Sequence, residues 1–240
     1  MILILGGTSE AYDLAEALAG RGVPVTTSLA GRTTAPRLPA GLCRVGGFGG
    51  AEGLCRWMGE NGVRVLVDAT HPFSLRISEN ARRASVSSGV PCLRLERPPW
   101  RAGAGDDWRM FGDEAEVAAA LPESARVFLG LGRQRLGVFA GSGCYFVVRF
   151  AEPFGGVLPF AGECVIDRGP FDVEGERDLF VSRGVTHVVV RNSGGSAWQK
   201  LSAARLLGLP VFMVERPAAD AGADQCDSVD AAMDWIGGRS

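Results

Sequence analysis

The sequence predicts an α/β fold in two halves, each a parallel sheet covered by helices, and three observations carry that prediction. The chain opens on a short apolar run, Met1 to Leu5, that ends at Gly6-Gly7 and gives way to a helical pattern. Further apolar runs alternate with helical segments and stop at glycine-rich or polar loops, the rhythm of βαβ units. The segment GVPCLRLERP at 89–98 returns as GLPVFMVERP at 208–217. Each copy follows a helix-like stretch and, before that, a strand: VRVLVDATHP in the first copy and THVVVRNSGG in the second. At 240 residues, 46% of them hydrophobic, the chain holds enough apolar material for one large domain or two small ones.

Met1 to Leu5 is apolar without alternation, as a strand buried on both faces is. Ala11, Leu14, Ala15 and Leu18 then recur at helical spacing, with Thr8 or Ser9 to cap the helix and Glu10 in its first turn. RGVPVTTSLAG supplies a turn and a second strand. Strand, glycine turn, helix and strand within about 30 residues form a Rossmann-type unit, whose turn and helix N-terminus hold a pyrophosphate. The standard G-x-G-x-x-G is absent here; Gly6-Gly7-Thr8-Ser9-Glu10 stands in its place, and a mere tight turn is the competing reading. After the second strand come Ser28, Gly31 and Arg32 with no acid, which suits the 2′-phosphate of NADPH better than the bare ribose of NADH. Arg32 as a solvated loop residue is the alternative.

A third strand ends at Val45, and Gly46, Gly47, Gly49 and Gly50 then flank Phe48, leaving backbone bare for a planar ligand or for a flexible link. The fourth strand, Val63 to Val67, runs into Asp68-Ala69-Thr70-His71-Pro72-Phe73, at the strand end where open α/β sheets collect ligands. His71 titrates near neutrality and is the candidate acid; Asp68 and Thr70 orient it or a ligand, or else cap the next helix with Pro72 in its first turn. A fifth strand stops at Pro98-Pro99.

The repeat divides the chain into a cofactor domain, 1–100, and a substrate domain, 101–240, with the last helix, from Ser228, free to pack on either and the active site expected in the crevice between them. Strand-end loops of the second half offer Gly130, Gly132, Arg133 and Arg135, then Arg168 before Gly169-Pro170-Phe171, then Arg191-Asn192-Ser193-Gly194-Gly195, an anion-binding mouth.

Composition excludes several classes. A net charge of −2 carries no polyanion-binding signature, so neither nucleic acid nor an anionic membrane is expected as a partner. Six cysteines without a C-x-x-C pair and only two histidines, His71 and His187, leave no metal site. No run is apolar and long enough to span a bilayer, so the expectation is a cytoplasmic protein, read as a monomer. Neither Tyr12 nor Tyr145 is followed by lysine four residues on, which counts against a short-chain-type reductase. A non-catalytic NADPH-sensing protein is the alternative to an enzyme. Lys200 is the one lysine, so 24 of the 25 basic side chains are arginine, the best fork for carboxylates.

Taken in order, GGTSE at 6–10, AGR at 30–32, GGFGG at 46–50, DATHPF at 68–73, RGPF at 168–171 and RNSGG at 191–195 resemble the precorrin-6A reductase family of the cobalamin pathway, over nearly the whole chain. The resemblance implies a cytoplasmic NADPH-dependent reductase that saturates one ring double bond of a tetrapyrrole, passing precorrin-6A, metal-free or cobalt-bearing, to precorrin-6B. It implies two Rossmann-like domains, which the repeat also gives, and transient docking with neighbouring pathway enzymes as an open option. Carried onto this chain, NADPH falls on Gly6, Gly7, Thr8, Ser9, Glu10, Ser28, Gly31, Arg32, the loop Gly47, Phe48, Gly49, Gly50, and Thr70. The macrocycle falls on Asp68, Pro72, Arg133, Arg135, Arg168, Arg191, Asn192, Ser193, Gly194 and Lys200, with His71 between cofactor and substrate.

Overall fold

The computed structural model describes residues 1–31, 38–218 and 224–239. Along the chain run β1 (Ile2–Leu5), α1 (Ser9–Gly20), β2 (Val25–Leu29), β3 (Leu42–Val45), α2 (Ala51–Glu60), β4 (Val65–Asp68), α3 (Leu75–Ser88) and β5 (Cys92–Leu95). There follow β6 (Trp108–Phe111), α4 (Glu114–Ala120), β7 (Arg126–Gly130), a 3-10 helix (Arg133–Phe139), β8 (Tyr145–Phe150) and β9 (Gly162–Ile166). The chain closes with α5 (Val173–Ser182), β10 (His187–Arg191), α6 (Gln199–Leu206), β11 (Val211–Val214), β12 (Asp224–Cys226) and α7 (Val229–Gly237).

These elements make two units, Met1–Pro98 with Ala218–Ser240, and Pro99–Pro217. The tail, grouped by the sequence reading with residues 101–240, therefore belongs to the first unit. Its β12 pairs with β5, and Ala232, Met233 and Ile236 of α7 bury against Leu14 and Leu18 of α1. Ser228 caps α7 as expected, its side chain accepting from the Ala231 N–H.

In unit 1 the strand order is β12-β5-β4-β1-β2-β3, every pair parallel. With β12 as sixth strand this is the 3-2-1-4-5-6 order of a doubly wound dinucleotide-binding sheet. The β1 run is apolar throughout because both faces are covered. Ile2 and Ile4 point into a cluster with Leu14, Leu18, Val65 and Val67, while Leu3 and Leu5 point into another with Leu54, Met58 and Ala81. Leu3 and Ile4 are fully buried, each contributing about 1.5–3 kcal/mol by leaving water.

Unit 2 repeats the plan: β6-β11-β10-β7-β8-β9, again all parallel. Here the sixth place is filled by β6, which precedes the other five in sequence. Each half thus takes its outermost strand from the chain segment that follows the other half's fifth strand or precedes its own first. The two stretches that repeat in sequence become β4 with β5 and β10 with β11, neighbours in each sheet. Val188, Val190, Val211 and Met213 carry the core of unit 2 with Phe128 and Phe180, whose rings lie 5.0 Å apart.

Candidate functional site

In unit 1 the order reverses beside β1: β2 lies on one side of it and β4 on the other, which opens the crevice at their carboxyl ends where ligands of such sheets bind. The Gly6-Gly7 turn sits there. A side-chain carbon at Gly6 would come within 2.8 Å of Thr27 Cγ2, so this glycine lets β1 lie against β2. Gly7 has φ +119 with nothing within 4 Å, which serves the turn and leaves the backbone bare. Thr8 caps α1 through the Ala11 N–H at 3.3 Å and donates its own hydroxyl to Ala69 O at 2.7 Å, tying the turn to the β4 loop. Burial alone would raise the Glu10 carboxyl. Its own backbone N–H, the Arg97 guanidinium at 2.9 Å and the Ser9 hydroxyl outweigh that and hold it below the usual carboxylate range.

The β4 loop is anchored from beneath. Asp68, 3% exposed, receives Arg94 Nη1 at 2.8 Å and the Thr70 N–H and hydroxyl at 3.1 and 2.7 Å. Arg94 also donates to Thr70 Oγ1, Ser78 Oγ and Glu96. Asp68 and Thr70 do not cap the next helix; Ser74 precedes α3, without a side-chain cap bond, and buried Pro72 lies upstream of it. His71 follows Thr70 directly, and its half-buried ring accepts the Phe73 N–H on Nδ1 at 3.3 Å.

On the other side of β1, Ser28 and Arg44 are register partners of β2 and β3. Arg44 donates to Ser28 Oγ at 2.6 Å, Gly46 O at 2.9 Å and Gly47 O at 3.1 Å, and its guanidinium lies 3.8 Å over the Phe48 ring. Phe48 meets Trp57 of α2 edge-on at 5.6 Å. Gly49 and Gly50 carry φ +79 and +99. Gly31, at φ +73, lies against Val45, and Arg32 falls outside the described residues.

In unit 2, Glu114 at the start of α4 is 4% exposed and collects Arg191 Nε at 2.7 Å and Arg135 Nη2 at 3.3 Å. The Asn192 side chain clamps the Trp100 backbone, accepting its N–H at 2.8 Å and donating to its carbonyl at 3.0 Å. Trp100 Nε1 reaches Gly195 O, Lys200 sits over the Trp100 ring, and Arg216 donates to the carbonyls of Asn192 and Ser193. Ser193 donates to Arg191 O at 3.3 Å, and Gly194 is buried at φ +65. Arg133 is exposed, held on the carbonyls of Glu152 and Pro153, and Arg168 pairs with Glu152 at 3.2 Å while half exposed. The expected residues therefore fall in two local groups in unit 1 and three in unit 2.

Sequence reasoning passed over Arg44, Arg94, Arg97, Glu114, Trp100 and Arg216. The signal for two of them was present: Arg97 and Arg216 occupy the same place in the repeated ERP, Arg97 holding Glu10 in the first turn of α1 and Arg216 the carbonyls of Asn192 and Ser193. The cofactor test falls on unit 1. A bare turn at the α1 N-terminus, an open glycine loop, and serine rather than an acid at the end of β2 fit a dinucleotide. Among the described residues no group of three or more acidic, cysteine or histidine side chains is placed to hold a metal, and no helix is long and apolar enough to cross a membrane.

Fold and site together define the class, an α/β protein of two doubly wound units of which the first has the shape of a dinucleotide site. Residues 1–237 match the family described as precorrin-6x reductase CbiJ/CobK, and the chain belongs to that family of reductases. It is 45% identical over 239 residues to the precorrin-6A reductase of Rhodobacter capsulatus, covering 98% of this chain and 95% of that one. The cobalt-precorrin-6A reductase of Priestia megaterium is 32% identical, with 92% of each chain covered. A solved structure titled CobK precorrin-6A reductase superposes with a TM-score of 0.95 at 44% identity, covering 100% of this chain and 96% of that one.

Proposed function

We propose that this chain is an NADPH-dependent reductase that converts precorrin-6A, or its cobalt form, to precorrin-6B in cobalamin biosynthesis. The observation that carries this reading is the unit 1 crevice. Its glycine turn, α1 N-terminus and β3 loop surround the switch point of a 3-2-1-4-5-6 sheet, with no acid at the end of β2. Bound there, the cofactor supplies a hydride for one carbon of a ring double bond; the neighbouring carbon takes a proton, so one two-electron reduction is complete.

The chain's own residues do the rest. The turn at Gly6-Gly7 and the first turn of α1 bind the pyrophosphate, and Thr8 locks that turn to the β4 loop through Ala69 O. Arg97 keeps the Glu10 carboxylate turned to protein and reduces its repulsion of the phosphates. Asp68, Thr70 and Arg94 position the loop that carries His71, whose imidazolium form is the proton donor we assign. In unit 2, Arg133, Arg135 and Arg168 bind the acetate and propionate carboxylates of the macrocycle. Arg135 and Arg168 are about half exposed in long or single ion pairs, which cost little to exchange for a substrate carboxylate. Arg191, Asn192 and Lys200 hold the 191–195 loop in shape for that contact.

The test is NADPH oxidation with metal-free precorrin-6A and its cobalt form offered in parallel. Turnover of either supports the reading and selects the substrate; tight NADPH binding without oxidation by either overturns it. His71→Ala is expected to cut kcat with NADPH affinity unchanged, and a wild-type kcat in that variant removes His71 as the donor.

A further inference from the structure

We propose that Arg44 is the residue that makes unit 1 select a dinucleotide bearing a 2′-phosphate over one that lacks it. The proposal rests on the reading above that unit 1 binds NADPH, and it names the group that performs the discrimination.

The first observation is position. In a sheet of this order the adenosine ribose lies over the end of the second strand. There the chain has Ser28-Leu29-Ala30-Gly31, with no carboxylate to pair with free ribose hydroxyls. Arg44, the register partner of Ser28 on the neighbouring strand, brings its guanidinium to the Ser28 hydroxyl at 2.6 Å. A positive charge thus stands where an NADH site carries a negative one.

The second observation is that this charge has no carboxylate counter-ion among the described residues. Arg82, Arg94 and Arg97 in the same unit each lie on a carboxylate. Arg44 donates instead to a hydroxyl and two carbonyls, all neutral, and no carboxylate among the described residues pairs with it. Arg44 is half-buried, and that burial draws the guanidinium below its usual value. Arg44 is thus a cation without a carboxylate partner among the described residues, and an anionic group of a ligand can pair with it.

The third observation is rigidity. The guanidinium carbon lies 3.8 Å from the Phe48 ring centre and 5.6 Å from that of Trp57, and the Gly46 and Gly47 carbonyls hold its Nη groups. The three hydrogen bonds named above engage Nη1 and Nη2, and the planar fork offers further N–H groups, the geometry that grips phosphate oxygens. Lysine keeps the charge but neither stacks nor holds two carbonyls and a hydroxyl in one plane.

The experiment titrates the full-length protein and its Arg44→Met, Arg44→Lys and Arg32→Ala variants with four probes: NADPH, NADH, 2′,5′-ADP and 5′-AMP. Arg44→Met is expected to weaken NADPH and 2′,5′-ADP by roughly tenfold to a hundredfold, the weight of a charge-assisted contact, and to leave NADH and 5′-AMP where they were. Arg44→Lys is expected to recover part of the loss. Equal weakening of NADPH and NADH overturns the proposal and makes Arg44 a scaffold for the glycine loop, with the cofactor reading intact. Loss of the preference in Arg32→Ala but not in Arg44→Met also overturns it. Failure of the wild type to bind NADPH, NADH or 2′,5′-ADP overturns the cofactor reading itself. Should Arg44→Met not fold, Ser28→Asp places a carboxylate against the same guanidinium. NADPH affinity should then fall and NADH affinity rise; an unchanged preference overturns the proposal.

Discussion

Replacing Arg94 by methionine is expected to destabilise unit 1 by about 3–5 kcal/mol, the cost of breaking a buried ion pair from one side. The structure decides for that range over the 0–1 kcal/mol or so of an exposed pair. Arg94 and Asp68 have side chains only 13% and 4% exposed and meet at 2.8 Å. Methionine keeps most of the apolar stem, so the loss is charge and hydrogen bonding rather than volume. It strands Asp68 on two Thr70 donors and removes the guanidinium from Glu96, whose side chain is 16% exposed. Arg82, paired with Glu79 on α3 at 43% and 50% exposure, supplies the internal control, and Arg82→Met is expected to cost under about 1 kcal/mol. Amide hydrogen exchange is the assay, because it reads β4 and β5 separately from β10 and β11 in a chain of two units. The β4 and β5 amides should lose protection in Arg94→Met while those of β10 hold theirs. Asp68→Asn with Arg94→Met should cost less than the sum of the single changes, because removing both charges leaves neither stranded. An Arg94→Met cost no larger than that of Arg82→Met would refute the reasoning.

Two further predictions separate structural from ligand-facing residues. Gly6→Ala puts a methyl 2.8 Å from Thr27 Cγ2 and should cost about 1–3 kcal/mol. Gly47→Ala, with no heavy atom within 4 Å and no positive φ, should leave the melting temperature unchanged but weaken NADPH; unaltered NADPH affinity would remove Gly47 from the cofactor site. His187 in unit 2 is pulled below its usual pKa by burial and then by the Arg109 charge, against Asp107. The unfolded chain therefore binds this proton more readily, so its contribution is complete above the unfolded pKa of about 6.5 and is lost as pH falls below it. His187→Gln should flatten the fall in stability below about pH 6.5, and an unchanged slope would assign the dependence elsewhere.

The fold was legible because its signals are local and repeated. Met1 to Leu5 shows burial on both faces, the α1 positions Ala11, Leu14, Ala15 and Leu18 recur at helical spacing, and the 89–98 and 208–217 stretches pair with the strands that precede each copy. The destination of the tail was not legible, because β12 of three residues carries no periodicity and its partner β5 lies far upstream. The site divides the same way. Gly6, Gly7 and the 46–50 loop stand out by composition, whereas nothing in the sequence shows that Asp68 is buried against Arg94. Its fate depends on Arg94, a cation on the next strand whose facing direction no spacing in the sequence reveals. Arg44 escaped for the opposite reason: a strand arginine reads as surface until the glycine loop folds back and lends it two carbonyls.

The repeat also explains how one fold came to serve two charge regimes. Asp68 and Arg191 occupy the same place, each ending the fourth strand of its half. In unit 1 the acid is silenced by Arg94, and Glu10 is tied to Arg97 and Ser9, so the anions of this crevice are directed into the protein. Bare backbone and the guanidinium of Arg44 remain toward the phosphate-bearing dinucleotide proposed above. In unit 2 the corresponding position is basic, and its carboxylate, Glu114, arrives from α4 beside the sixth strand and is shared by two arginines. Arg133 rests on carbonyls alone among its hydrogen-bond partners, and its guanidinium also lies 5.1 Å from the Phe150 ring. A cation held by neutral acceptors beside an aromatic face suits a flat ligand rimmed with carboxylates. On the function proposed above, the same βαβ scaffold would serve a polyphosphate in one half and a polycarboxylate in the other by changing which strand-end charges its own side chains cancel.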